Sequence, residues 1–455
     1  MNATDSQTAY APTDGLSYDP AEAIYWQPEA LAKEITRTFE VCAGCRMCFK
    51  YCDAFPTLFQ LLDEKYDGAV EALTAEDTDR IFQACFQCKL CEVQCPYTPR
   101  DNHPFQLDFP KLVHRYRAQK RRREGASLRD RLLGDPDRLG RLARWSLGLM
   151  NKLNRSRWNR FFMEKTVGIH RHKVLPDFAQ TTFESWAKRR GKLVEKPQEG
   201  LEVVLFQTCF VQHNEPQLGR DALEVLERNG VKVAAVSNLG CCGMPAWEHG
   251  DYDTLEKKLK HNLQRLAPFA EAGVKIMALN PTCTMMLRRE YPELAPPELR
   301  ETATKVAEAV RDPGEFLWEL RSEGRFNKNF KSSPGKVAYH VPCHLRVQAV
   351  GFKGRDLIRT IPGVKITTSM NCSGHDGTYA MKVESYEASI RIGEKAFHDM
   401  QKAEAEVWAT DCPLAAVQLQ QHAGKPAQHP LSILAAAYRE NGFPNSIEPQ
   451  EGNNK

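Results

Sequence analysis

The sequence predicts an α-helical ferredoxin-type domain, a basic helical connector and a duplicated α/β cysteine-rich domain, in that order along 455 residues. Three observations predict it: the grouping of the cysteines, a concentration of positive charge between the groups, and a strand-and-cysteine pattern that occurs twice. Of the 15 cysteines, eight lie between Cys42 and Cys95, none between Pro96 and Thr208, and seven between Cys209 and Cys412. The boundaries that follow are a polar tail over 1–24, the ferredoxin-type domain over 25–110, the connector over 111–198, the two repeats over 199–325 and 334–442, and a second tail over 443–455.

A chain with 42% hydrophobic and 26% charged residues and a mean hydropathy of −0.51 has the composition of a soluble globular protein. Its longest apolar runs, 203–206 and 433–437, fall far short of the ~18 consecutive apolar residues of a spanning helix. Residues 1–20 are polar and lack both an apolar core and a twin arginine, so no secretory signal is expected and the cytoplasm is the expected compartment. Reducing conditions there disfavour structural disulfides, which turns the cysteine content toward metal ligation or redox chemistry.

In the first group, Cys42, Cys45, Cys48 and Cys52 follow the spacing C-x2-C-x2-C-x3-C, and Cys85, Cys88, Cys91 and Cys95 repeat it, ending in Cys95-Pro96. Three thiolates on one tight loop reach three corners of a [4Fe-4S] cube, and the fourth ligates the other cluster. This predicts one cluster on Cys42, Cys45, Cys48 and Cys95 and another on Cys85, Cys88, Cys91 and Cys52. Two zinc sites or eight unligated thiols are the alternatives. Zinc takes cysteine pairs set further apart, and runs of three would leave thiolates unused. Asp53 stands where a proline would follow the first set, which loosens that loop without removing a ligand. Leu31, Ile35 and Phe39 at i, i+4 and i+8, and Phe55, Leu58, Phe59 and Leu62 further on, predict helices before and after Cys42 to Cys52. Thr74-x-x-Asp77 reads as a capping box ahead of Ile81 and Phe82.

From Lys111 to Lys192 there are 23 Lys and Arg against 7 Asp and Glu, a net +16 in a chain whose total is only +4. Leu139, Leu142, Leu149 and Leu153, with Ala143 and Met150, fall on one helical face. Arg138, Arg141, Arg144, Lys152 and Arg155 alternate with them, and Trp145, Trp158, Phe161 and Phe162 add aromatics. Such a segment suits the surface of an anionic membrane, on the inner face of the plasma membrane. It equally suits a solvated connector whose apolar face packs on a neighbouring domain. Lys120 to Arg123 has no nucleic-acid recognition module beside it, so no nucleic-acid partner is expected.

The second half repeats itself. Strand-like residues 202–208 end at Cys209, 231–236 lead to Cys241-Cys242-Gly243, and 274–279 lead to Cys283; then 337–341 end near Cys343, 364–368 lead to Cys372-Ser373-Gly374, and 406–410 lead to Cys412. The cysteine intervals are 32 and 42 residues in the first copy and 29 and 40 in the second. Short β-branched strands alternate with helical stretches such as 221–228 and 255–266, the pattern of a parallel α/β unit. Such folds place ligands just beyond the strands, where these cysteines fall.

Two C-x2-C-x2-C-x3-C motifs followed by paired repeats, the first with Cys241-Cys242-Gly243, resemble the heterodisulfide-reductase-related iron–sulfur proteins of the cysteine-rich (CCG) domain family. The likeness extends to the C subunits of anaerobic glycerol-3-phosphate dehydrogenases and covers residues from about 25 to 440. The stretch Gly168-Ile169-His170-Arg171, with Leu175-Pro176 and Thr182-Phe183, is similar to what precedes the repeats there. The resemblance implies an electron-transfer subunit between a flavoprotein dehydrogenase and a membrane quinone pool, with one iron–sulfur site per repeat built in full from five cysteines. Here Cys209, Cys241, Cys242 and Cys283 are present and Met286 takes the fifth position, which leaves enough thiolates for a further iron–sulfur cluster, a cubane, but argues against the non-cubane type. In the second repeat Cys343, Cys372 and Cys412 remain, Ser373 and Ala415 replace the other two, and His344 or His375 is the candidate fourth ligand of either a zinc or an iron–sulfur site. Three buried cysteines without a metal are the alternative there. His213, His249 and His340 are expected to be packing or surface residues.

No G-x-G-x-x-G, P-loop, H-E-x-x-H or G-x-S-x-G motif is present, so hydride chemistry is left to a partner. The expected role is that of an electron-transfer subunit between a flavin-bearing or rubrerythrin-like partner and a quinone-linked acceptor, rather than a complete enzyme. A disulfide- or thiol-cleaving reductase acting at the first repeat, and a docking scaffold with redox activity only in the ferredoxin domain, are the alternatives.

Overall fold

A computed structural model describes residues 10–375 and 377–447; the outer parts of both expected tails, 1–9 and 448–455, lie outside the described residues. Helix α1 (Pro28–Cys45) buries Leu31 and Phe39 with Ile35 packed beside them, as their spacing predicts, and presents Cys42 and Cys45 from its last turns. It ends at Arg46, whose φ of 54° turns the chain left-handed between Cys45 and Cys48. Helix α2 (Ala54–Lys65) buries Phe55, Leu58, Phe59 and Leu62. Helix α3 (Ala75–Gln83) starts in the expected capping box: the Thr74 hydroxyl accepts from the Asp77 N–H at 3.1 Å and the Asp77 carboxylate accepts from the Thr74 N–H at 3.1 Å. Phe39, Phe82, Phe55 and Phe109 pack edge-on or tilted at the centre of this helical domain. The second cysteine loop then turns through Gln87 and Lys89, with φ of 61° and 58°, into helix α4 (Leu90–Gln94).

Lys89 holds the helical domain to the first repeat. Its ammonium pairs with Glu290, and the two side chains are only 2% and 4% exposed. Arg289 pairs similarly with Glu92. Removing one partner of a buried pair strands the other charge, at a cost of about 3–5 kcal/mol. Glu290→Leu is therefore expected to lower stability by about that amount in chemical denaturation, and Lys89→Met combined with Glu290→Leu to recover most of it. Equal stability of the single variant and the unaltered protein would rule the clamp out.

Helix α5 (Phe109–Glu124) leads into the basic segment, which folds as α6 (Leu128–Leu133), α7 (Pro136–Trp145), α8 (Leu149–Arg155) and α9 (Arg157–Val167). The single apolar face expected from Leu139 to Leu153 is broken: Leu147 and Gly148 take φ of 48° and 90°, and a right-handed helix cannot run through two left-handed residues. Only the small residues of α7, Gly140 and Ala143, are buried, and a Cβ on Gly140 would sit 2.3 Å from the His213 ring. Leu142, Trp145, Leu147, Leu149, Trp158 and Phe162 project outward instead.

The remainder contains two parallel sheets. The first is ordered β1-β3-β2-β4-β5, with β1 (Leu193–Val194), β2 (Val203–Phe206), β3 (Val233–Val236), β4 (Lys275–Ala278) and β5 (Val310–Arg311). Its first strand begins upstream of the residue-199 boundary expected from the sequence and pairs with β3. After β6 (Ser332–Ser333), the second sheet is ordered β10-β9-β7-β8, with β7 (Lys336–His340), β8 (Lys365–Ser369), β9 (Val407–Thr410) and β10 (Ala427–Gln428). The cores β3-β2-β4 and β8-β7-β9 have the same connectivity, so the repeat read from cysteine intervals is a repeat of topology. The central strands β2 and β3 are buried throughout, which fits their continuous apolar runs between helical layers.

Candidate metal centres

Every repeat cysteine except Cys242 lies within five residues of a strand's C-terminal end, and Cys242 adjoins Cys241; the first helical-domain motif runs from the last turns of α1 into a tight loop, and the second from a tight loop into α4. Cys42, Cys45, Cys48 and Cys95 border one cavity. Burial first, and then Cys95, Cys48 and Cys45, push the Cys42 thiol well above its usual range; burial and Cys95 push Cys48 up to about 12. Cys42, Cys48 and Cys95 so placed resist ionising together unless a cationic group joins them. A half-buried soft-donor set around a cavity fits a cluster with iron. Cys52, Cys85, Cys88 and Cys91 form a second group. Burial and Cys85 raise the Cys52 thiol, and burial and Cys85 also raise Cys91. The largest charge effects on Cys88 after burial come from Cys343 and Cys52, which brings the second repeat against this group.

In the first repeat Cys209, Cys241, Cys242 and Cys283 meet. The Cys283 and Cys242 sulfurs are 3.4 Å apart, and hydrogen bonds from Cys209 and Cys242 hold Cys241 well below the usual thiol range. Gly243 has φ of 91° and sends its N–H toward the Cys241 sulfur at 3.5 Å; a Cβ there would lie 2.6 Å from Leu255. That is why the vicinal pair is followed by glycine. Several groups around this loop carried no signal in the sequence. Asp137 of α7 accepts from the Cys241 N–H at 2.7 Å and pairs with Lys258 at 2.8 Å. The Asn262 amide donates to the Cys241 carbonyl at 3.0 Å, and the Tyr291 hydroxyl to the Cys242 carbonyl at 3.0 Å. Met286, at the fifth position, is fully buried.

In the second repeat Cys343, Cys372 and Cys412 line a cavity, with Ser373 and Ala415 on its wall. Gly374 repeats the geometry of Gly243: its φ is 72° and its N–H points at the Cys372 sulfur at 3.3 Å. His344, a candidate ligand from its neighbour Cys343, is corrected here. Its Nδ1 meets the Thr282 hydroxyl at 2.8 Å and its Nε2 the Gln87 carbonyl at 3.0 Å, which occupies both nitrogens. His340 is likewise engaged, by Thr410 and Asn371, and His249 by Asp130 and Thr378. Among the described residues no three His, Cys, Asp or Glu side chains converge as closely as a single metal ion requires. A cluster is wider than an ion, and its ligands stand correspondingly further apart.

The helix bearing Cys343 (Cys343–Val347) packs against α4, which carries Cys91, and against the helix that carries Cys283 (Pro281–Met285). All three candidate sites of the inner region therefore adjoin. Among the described residues no helix is long and apolar enough to cross a membrane.

Comparison with known proteins matches the cysteine-bearing segments. A 4Fe-4S dicluster domain profile matches residues 41–98, and a cysteine-rich domain profile matches twice, over 203–288 and 337–420. The C subunit of anaerobic glycerol-3-phosphate dehydrogenase from Escherichia coli (strain K12) is 30% identical over 313 residues, 68% of this chain and 77% of that protein. Lactate utilization protein A of Shouchella clausii (strain KSM-K16) is 28% identical over 204 residues, 44% of this chain and 82% of its own length. The same-named protein of Halalkalibacterium halodurans is 27% identical over 218 residues, 47% of this chain and 86% of its length.

Proposed function

We propose a function from one premise: this chain belongs to the cysteine-rich-domain iron–sulfur family that includes the C subunit of anaerobic glycerol-3-phosphate dehydrogenase. It is an iron–sulfur electron-transfer protein, and its role is to carry electrons from a flavoprotein dehydrogenase partner to a quinone-linked acceptor at a membrane. Cys42, Cys45, Cys48 and Cys95 hold one [4Fe-4S] cluster, Cys52, Cys85, Cys88 and Cys91 a second, and Cys209, Cys241, Cys242 and Cys283 a third. Such clusters, when bound, exchange one electron at a time, so several in series can accept a flavin's two electrons in steps. The protein's own contribution is spacing, burial and hydrogen bonding to the sulfurs, which set potential and exclude water.

One observation carries the reading: His344 spans the two halves. Its ring links the backbone carbonyl of Gln87, between Cys85 and Cys88, to the Thr282 hydroxyl next to Cys283. Buried at 2% exposure, it gives a short bonded route from the helical domain to the first repeat. His344→Leu is expected to keep the iron content and to slow electron transfer from the helical domain into the repeat about tenfold, the equivalent of one or two lost hydrogen bonds. Rapid-freeze EPR after reduction reads it. An unchanged rate in a variant with full iron would sink the bridge.

The membrane end of the role rests on the surface of α7 to α9. Trp145, Leu147 and Trp158 are 81%, 95% and 79% exposed, and Arg141, Arg144, Lys152 and Arg157 are exposed around them. Apolar side chains ringed by cations suit an anionic lipid interface, where indole rings sit at headgroup depth and basic residues neutralise lipid charge.

A further inference from the structure

The second repeat has lost two of the five family cysteines, yet its loop keeps the shape of the intact copy. Cys372, Ser373, Gly374 and His375 align with Cys241, Cys242, Gly243 and Met244, and both glycines take positive φ and direct their N–H groups at the sulfur two residues before them. A Cβ on Gly374 would fall 1.9 Å from the Ser389 carbonyl oxygen, so no other residue fits there. The missing thiol of Ser373 is followed two positions later by an imidazole.

His375 borders the same cavity as Cys343, Cys372 and Cys412. It is 2% exposed, and among the described residues neither ring nitrogen has a hydrogen-bond partner. His340 and His344 line that cavity too, but both have both nitrogens engaged. Leaving a buried polar group unsatisfied costs about 1–3 kcal/mol, and native proteins rarely tolerate it without a ligand.

We infer that His375 completes a Cys3His iron–sulfur centre with Cys343, Cys372 and Cys412, making the second repeat a fourth cluster site. The inference rests on the proposed iron–sulfur role and extends it to a repeat that its cysteines alone leave one ligand short. The loop keeps the geometry of the intact copy, with a positive-φ glycine whose N–H faces the cysteine sulfur two residues before it, and this favours a cluster over zinc. Exchanging a thiolate for a neutral imidazole removes negative charge from the ligand set, and this raises a cluster's potential. Cys343 and Cys372 are both among the charges felt by Cys88, so the site adjoins the second ferredoxin cluster.

The test uses the full chain, reconstituted anaerobically with iron and sulfide and labelled with ¹⁵N-histidine. The unaltered protein is expected to hold about sixteen irons, four for each of four clusters, and pulsed EPR is expected to detect a histidine nitrogen coupled to one of them. His375→Ala is expected to lose about four irons, and His375→Cys to keep them while losing the nitrogen coupling and shifting that centre to lower potential. His375→Cys also guards against a folding defect in His375→Ala. Full iron in His375→Ala, absence of any histidine coupling, or zinc in place of iron at this site would each overturn the inference. About twelve irons with the three other centres intact would defeat it while leaving the proposed function standing; about eight, with no signal from the first repeat, would defeat that reading as well.

Discussion

Trp145→Ser, Leu147→Ser and Trp158→Ser in one protein should weaken binding to anionic vesicles by about a hundredfold to a thousandfold. Each large apolar side chain is worth about 1.5–3 kcal/mol when fully withdrawn from water, and partial insertion of three such groups leaves about 3–4 kcal/mol. None of the three packs in the interior, so the variant should keep its melting temperature and its iron content. The basic residues act separately. Arg141→Gln with Arg144→Gln should remove about 2 kcal/mol at low ionic strength, roughly 1 kcal/mol for each charge near the lipid, and the deficit should shrink as salt is added. Vesicle co-sedimentation at two salt concentrations reads both effects. If the unaltered protein fails to bind anionic vesicles at low salt, the lipid-facing role of α7 to α9 is wrong.

Cys241→Ala is the second large effect. Cys241 is the low-pKa member of its group, hydrogen-bonded by Cys209 and Cys242 and fixed from behind by Asp137 and Asn262. Its loss should remove about four irons and the EPR signal of the first repeat, leaving the two ferredoxin-type signals in place. Electron delivery to a quinone should fall by at least about a hundredfold, because a missing relay leaves a gap that a neighbouring side chain does not fill. A docking scaffold behaves differently: under that reading the variant keeps full transfer with its partner. Iron and sulfide analysis, EPR and quinone reduction on one preparation separate the two.

The elements closest to the cysteines were legible in the sequence because their information is local. The helix into Cys42 follows from Leu31, Ile35 and Phe39, the capping box from Thr74 and Asp77, and the strands from short β-branched runs that the sheets reproduce to within a few residues. The apolar periodicity from Leu139 to Leu153 misled, since a helical pattern does not reveal that Leu147 and Gly148 adopt left-handed backbone. It also left open which way that face points. In the structure the small residues Gly140 and Ala143 take the packing role and the large ones are left outside.

Family membership, the three-part division and the grouping of cysteines into sets follow from residue order, because thiol spacing on a single loop is a property of a few consecutive residues. Which partners stand behind those thiols emerged only once the chain was folded. Asp137 reaches Cys241 across 104 residues, and His344 reaches Gln87 across 257 and Thr282 across 62. Folding also distinguishes two histidines near the second repeat's cysteines, one spent on hydrogen bonds and the other buried with no ring hydrogen bond among the described residues. A side chain's hydrogen-bonding state is set by whatever packs against it, and packing between distant helices leaves no local pattern in the chain.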